Sequence, residues 1–336
     1  MKRNATCVVT TIQEPTESVR LLHERLSREQ INLIVVGDKK GPARFELPNT
    51  KFLSLDEQLQ SNFKLALLLP TGHYSRKNLG YLEALRDPEL AAIYDTDDDN
   101  FPDPRWRSKD VCVEVRTLRH NGWFNIYRCF SRTMIWPRGF PLNRIHDTGS
   151  FAREAPQSVY SPIQQLLCND APDVDAVWRL TVGQKLFLFD SDSAEPIHLA
   201  PGTWCPFNSQ ATWWFADAFP LLYLPSTCTF RMTDIWRSFI AQRCLWELGM
   251  GVTFHPPIVI QDRNAHNLMK DFEDEIPGYL HNESIAQTLS ALSLNPSKTA
   301  IADNLIKCYE SLIAKNIFPK EEMPLLCAWL DDLQSL

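Results

Sequence analysis

The sequence predicts an α/β fold with a Rossmann-like, mostly parallel central sheet flanked by helices, and three observations carry that expectation. Residues 5–11 (ATCVVTT) and 31–36 (INLIVV) are near-continuous apolar runs rich in β-branched side chains, the signature of strands buried on both faces. Stretches with helical spacing alternate with them, as parallel strands require crossover helices. A third apolar strand, 90–94, runs into the acidic cluster Asp95-Thr96-Asp97-Asp98-Asp99. Ligands of such sheets bind beyond the carboxyl ends of the strands, where this cluster falls.

Taken in order, the first strand ends at the turn Gln13-Glu14-Pro15, and Thr16 caps a helix over 16–28 with apolar residues at 19, 22 and 26. Gly37-Asp38 stops the second strand. A weaker strand at 51–55 leads into a helix over 56–64, and a further helix is expected over 75–85. Beyond residue 100, proline and tryptophan are frequent; short β-like runs occur at 111–115, 124–130 and 185–189, joined by long loops. A helix over 234–248, an extended segment over 252–260 and three helices from 284 onward complete the reading. The expected division is a main domain over 1–280, with one half to about 100 and a second beyond it, and a C-terminal helical extension over 281–336.

Bulk properties narrow the function. A net charge of −7, from 34 basic and 41 acidic residues, gives no broad basic footprint for nucleic acid. The nine cysteines are scattered without a C-x-x-C pair, arguing against a zinc site or a disulfide framework and for a reducing compartment. Neither a signal peptide nor an apolar run of membrane-spanning length is read, so the expectation is a soluble, cytoplasmic protein with no membrane span.

Four carboxylates within five residues repel one another unless a cation sits among them. Mg²⁺ and Mn²⁺ take hard oxygen ligands, commonly one or two carboxylates completed by substrate phosphates. The run fits the start of the haloacid dehalogenase signature D-x-D-x-[T/V], but Asp99 stands where Thr or Val belongs. It fits the D-x-D motif of GT-A glycosyltransferases better, being roughly a hundred residues into the chain. Upstream, Arg76 and Lys77 open the helix expected over 75–85, where two cations and free N–H groups suit a phosphate. Thr233-Asp234 opens the later helix; Asp234 is a candidate general base, with a helix cap as its plain alternative.

YSRKNLGYLEAL followed by AAIYDTDDDNFP resembles the STELLO-type glycosyltransferases and, more loosely, the plant reversibly glycosylated polypeptides. The likeness continues through DVDAVWRLT at 173–181, PFNSQ at 206–210 and RMTDIWR at 231–237, covering roughly residues 5 to 275. It implies a GT-A fold and a metal-dependent glycosyltransferase that moves a sugar, from a UDP-sugar by expectation, to a glycan or other hydroxyl acceptor with inversion. By position, Thr10, Thr11 and Asp38 would contact nucleobase or ribose, Arg76 and Lys77 the nucleotide, and Asp97 ribose and metal. Asp99 would be the main protein ligand of Mn²⁺ or Mg²⁺, and Asp234 the base. Asp173, Asp175, Trp213 and His255 are weaker candidates for sugar or acceptor contacts, and His255 or His266 for a third metal ligand or a phosphate contact. The looser likeness offers a sugar-nucleotide mutase as an alternative; a non-catalytic nucleotide-sugar-binding scaffold is another.

Overall fold

The computed structural model describes residues 4–147, 152–183, 186–190, 195–263 and 267–336. Its first third is a regular alternation: β1 (Ala5–Thr10), α1 (Glu17–Glu29), β2 (Asn32–Val36), β3 (Thr50–Leu53), α2 (Leu55–Gln60), α3 (Lys64–Leu68), α4 (Lys77–Ala84) and β4 (Ala92–Thr96). Next come β5 (Asn100–Pro102), β6 (Cys112–Arg119), β7 (Gly122–Trp123), β8 (Ala152–Arg153), β9 (Gln157–Tyr160) and β10 (Ile163–Asn169). The remainder comprises α5 (Ala176–Thr181), β11 (Ile197–Leu199), β12 (Thr203–Trp204), β13 (Ala211–Phe215), α6 (Thr233–Glu247), β14 (Val252–Gln261), α7 (Leu268–Ser290), α8 (Ile301–Ala314) and α9 (Glu322–Gln334).

The main sheet runs β3-β2-β1-β4-β13-β10-β14-β11-β6-β8. Its first four strands are all parallel, with Thr10 opposite Val36 and Val8 opposite both Ile34 and Asp95. β13 then enters antiparallel between β4 and β10, and the far half mixes both directions. The α/β class, the parallel flank covered by helices and the additional C-terminal helices agree with the sequence reading.

Local chemistry explains the layout. Thr16 caps α1 as expected, its hydroxyl accepting from the Val19 amide, and Gln30 closes the helix in a left-handed conformation at φ 59°. α4 lies so close on the sheet that a Cβ at Gly80 would stand 2.6 Å from methyls of Val8 and Val36. That contact fixes where the residues opening α4 meet the strand ends. The C-terminal helices are tied into the same apolar core. Asp332 of α9 accepts from the backbone amides of Lys64 and Leu65 at 2.8 and 2.9 Å, capping α3. Glu322 likewise accepts from the amides of Ser226 and Thr227 and from the Tyr223 hydroxyl. α7 runs straight through position 280, where the expected domain division lies.

Several sequence-based boundaries move. The segment 124–130 is not a strand: Asn125 accepts from the Tyr127 amide and donates to Ile135, winding 126–129 into a 3-10 turn. The helix expected over 56–64 is two, because Ser61 turns back onto the Gln58 carbonyl. The helix expected from 75 starts at Lys77, after a 3-10 turn over Tyr74–Arg76. The β-like run 185–189 lies partly outside the described residues; within it Phe187 makes a single bridge to Asp170.

Candidate active site

A cavity of about 710 Å³ opens at the carboxyl ends of β1, β2 and β4. Its near wall comes from Thr10, Thr11, Asp38 and Arg76, its floor from Asp97, Asp98 and Asp99, and its far wall from Arg138, Asp173, Gln210, Arg231, Asp234 and Gln261. Each parallel strand thus delivers its first post-strand residues to one place, the positional logic of an open α/β sheet.

Beneath the floor, β4 extends two residues further than the sequence suggested, so Asp95 lies inside the strand, fully buried. Two buried cations hold it: Lys77 Nζ at 2.6 Å and Arg237 Nη2 at 3.0 Å. Lys77 also donates to the Thr96 carbonyl at 2.7 Å and reaches Asp97 at 3.4 Å, while Arg237 lies over the Trp214 ring. Asp97 faces the cavity and accepts from the Tyr74 hydroxyl at 2.9 Å. Burial raises its pKa to about 7, Lys77 opposing and Asp99 and Asp95 reinforcing the rise. Water reaches its side chain, which is 30% exposed, and softens the effect. Asp98 accepts from Thr11 at 2.5 Å, and its carbonyl from Thr16 and Ser18, locking the turn to the start of α1. Burial raises the Asp98 carboxyl as well. Asp99 accepts from Gln261 Nε2 at 3.0 Å.

The donor chemistry of this floor suits a divalent cation: hard oxygens, crowded carboxylates, and neighbouring cations already committed to Asp95. Among the described residues no group of three or more His, Cys, Asp or Glu side chains is placed to hold a metal. A cation held here would need further ligands, which substrate phosphates commonly supply.

On the near wall, Arg76 is 1% exposed yet lines the cavity. Its Nε donates to Gln58 at 2.7 Å and Nη1 to the Leu69 carbonyl at 3.1 Å, whereas Nη2 has no partner among the described residues. A buried guanidinium nitrogen left without an acceptor is costly, so it marks a place for one. Asp38 accepts from the amides of Gly72 and His73 at 2.8 and 2.9 Å, pinning the loop that precedes Arg76.

On the far wall one guanidinium serves two carboxylates. Arg138 gives Asp173 bonds of 2.8 and 2.9 Å and Asp234 two of 2.9 Å. The Ser209 amide adds a third bond to Asp234, at 3.1 Å. Burial pushes the Asp173 carboxyl upward, but the charge and bonds of Arg138 outweigh it and hold the group below its ordinary value. Arg231 beside them pairs with buried Glu275 at 2.7 Å.

Four sequence candidates are not in the cavity. Lys77, expected on the nucleotide, is wholly buried because Asp95 claims it. Asp175 caps α5 through the Trp178 amide and accepts from Trp136, and burial raises its pKa to about 7. Trp213 is stacked 4.9 Å from Tyr94 in a core aromatic cluster with Trp106, where no sugar reaches it. His255 pairs with Gln164 at 2.9 Å, and burial drives its pKa well below the ordinary value. His266 lies outside the described residues. Conversely, Arg138, Phe230 and Gln261 carry no sequence signal that singles them out, and Tyr74 and Gln210 stand only at the ends of family-like segments, yet all line the cavity.

Comparison with known proteins adds lineage to this geometry. The family model for STELLO glycosyltransferases matches residues 231–336. Two Arabidopsis thaliana proteins, named Probable glycosyltransferase STELLO1 and STELLO2, are 26% and 27% identical over 353 and 346 aligned residues. The chain is similar to the STELLO glycosyltransferases over nearly its whole length. Each STELLO match takes in 97% of this chain but 44% of the longer relative. The STELLO family model begins at Arg231, so it takes in Asp234, Arg237 and the C-terminal helices, while the sheet half rests on the pairwise likeness. A solved mycobacterial protein overlaps 83% of the chain and 74% of its own length at 10% identity and a TM-score of 0.39, too loose a likeness to build on. No described helix is long and apolar enough to cross a membrane.

Proposed function

We propose that this chain is a glycosyltransferase that binds a nucleotide sugar, a UDP-sugar, in the 710 Å³ cavity and passes the sugar to an acceptor hydroxyl with inversion. The observation that carries the reading is the pairing, in one cavity, of an unsatisfied buried guanidinium at Arg76 with a crowded carboxylate turn at 97–99. The first wants an anionic or carbonyl oxygen and the second wants a cation; a metal-bound nucleoside diphosphate answers both.

In this reading Thr10 and Arg76 hold the nucleotide, and the Asp38 clasp fixes the loop over it. Asp97 and Asp99 would hold Mn²⁺ or Mg²⁺, which when bound neutralises charge developing on a departing diphosphate. Asp234 takes the acceptor proton. A carboxylate has about four lone-pair sites; Arg138 and the Ser209 amide use three on Asp234, leaving one for a hydroxyl. The Arg138 fork also keeps that carboxylate fixed in plane, so the proton is received at a defined point.

Thermal unfolding with a panel of nucleotide sugars, with and without Mn²⁺, tests the donor site on wild type and Asp99→Ala. The expected result is stabilisation of the wild type by a UDP-sugar, of about 2.7 kcal/mol at a hundredfold excess over Kd, absent without Mn²⁺ and in Asp99→Ala. No response of the wild type to any nucleotide sugar would sink the reading.

A further inference from the structure

The geometry points to Phe230 as a stacking platform for the acceptor, and so to an acceptor that is itself a saccharide. This inference rests on the glycosyltransferase reading and names the substrate class that reading leaves open.

The starting point is an exposed aromatic in a chain that otherwise hides them. Among the described residues, the large exposed hydrophobics include one phenylalanine, Phe230 at 53%, one tyrosine, Tyr160, and no tryptophan. Tyr160 is away from the cavity on β9, whereas Phe230 lines it. Phe230 is also held: its ring meets Tyr74 edge-on at 5.5 Å, and the Tyr74 hydroxyl is bonded to Asp97. The 3-10 turn over Phe230–Met232 leads directly into α6 and Asp234. One rigid chain of contacts therefore links the acidic floor, the aromatic face and the candidate base.

Position separates acceptor from donor. The nucleotide end is the near wall, at Thr10, Asp38 and Arg76, and the diphosphate belongs on the floor beside Asp97 and Asp99. An inverting attack comes from the side opposite the leaving diphosphate, so the acceptor enters last, past the solvent-facing rim. Phe230 is on the same turn-and-helix unit as Asp234 and faces solvent. A pyranose presents polarised C–H groups on one flat face and hydroxyls around its edge. The face suits the electron-rich aromatic ring, and an edge hydroxyl then reaches the open site on Asp234. A peptide hydroxyl has no such face and gains nothing from the ring.

The test uses the full chain with the nucleotide sugar that stabilises it and Mn²⁺. Transfer is read by mass spectrometry on tagged di- and oligosaccharides, with serine- and threonine-containing peptides as competitors. Phe230→Ala should raise the saccharide KM about tenfold with donor-induced thermal stabilisation retained; Phe230→Trp should keep the wild-type KM. An unchanged KM in Phe230→Ala overturns the inference, as does wild-type transfer to peptides in preference to saccharides. Weaker donor stabilisation in Phe230→Ala would assign the ring to the donor sugar and equally overturn it. A wild type that no nucleotide sugar stabilises fails the glycosyltransferase reading itself, a different result from donor binding without a saccharide effect.

Discussion

Two buried ion clusters lie on opposite sides of the acidic turn, built from the same kinds of group and suited to different work. Under the floor, Lys77 and Arg237 close on Asp95, with all three side chains at most 1% exposed. On the far wall, Arg138 forks onto Asp173 and Asp234, and that cluster borders the cavity. The first has two cations for one carboxylate and no access to a ligand; its surplus positive charge leans toward Asp97 and steadies the turn. In the second, Arg138 is shared between two carboxylates, Arg231 stands 3.9 Å from Asp173, and Asp234 keeps an open lone-pair site. The contrast teaches that access to the cavity, rather than burial or residue type, separates a foundation from a candidate working surface.

Breaking the foundation should have the largest effect. Asp95→Ala leaves Lys77 and Arg237 buried without their shared partner, and loss of one member of a buried pair costs roughly 3–5 kcal/mol. An unfolding free energy from denaturant titration lowered by less than about a third of that would erase the distinction between the clusters. Asp234→Asn should be mostly a functional lesion: the amide oxygen still accepts from Arg138 but takes no proton. Turnover should fall roughly 10²–10⁴-fold, the usual worth of a general base, with donor-induced stabilisation retained. Stability lost to the same extent as in Asp95→Ala, with turnover per folded molecule unchanged, would make the far-wall cluster a second foundation.

The smallest expected effect sharpens the comparison through a third carboxylate, Asp175, which is buried with hydrogen bonds but no paired cation among the described residues. Its folded pKa of about 7 stands above the ordinary aspartate value of 3.8, so the folded chain binds more protons than the unfolded one between those values. Stability from this group therefore falls as pH rises through that window and levels off above about 7. Unfolding free energies from pH 5 to 8 should show a shallower decline in Asp175→Asn than in wild type. Part of the slope should remain, because burial raises Asp97 in the same direction. An unaltered slope would show that Asp175 is ionised throughout.

What the sequence made legible follows the same divide. The near wall and floor were readable because their residues are local signals: apolar runs that end in Thr10, Asp38 and the 95–99 cluster. Arg138 was not, since its partners Asp173 and Asp234 stand 35 and 96 positions away and its own neighbourhood, Pro137-Arg138-Gly139, reads as a loop. Lys77 misled for the opposite reason. A basic pair at a helix start looks like a ligand contact, and nothing local says that α4 begins at Lys77 with that side chain turned beneath the sheet ends. Trp213 sits in an apolar run whose chemistry suits either a sugar or a core; packing between Tyr94 and Trp106 decided for the core. The division at 280 was drawn between the end of the family likeness and the helical reading from 284, and helix α7 spans that position.

The cap that Asp332 places on α3 has a consequence for how the chain is made. Lys64 and Asp332 are 268 positions apart, so the first amides of α3 stay uncapped until α9 has been synthesised and has docked. The parallel strands can draft early, but the first turn of α3 closes only when a far later helix arrives.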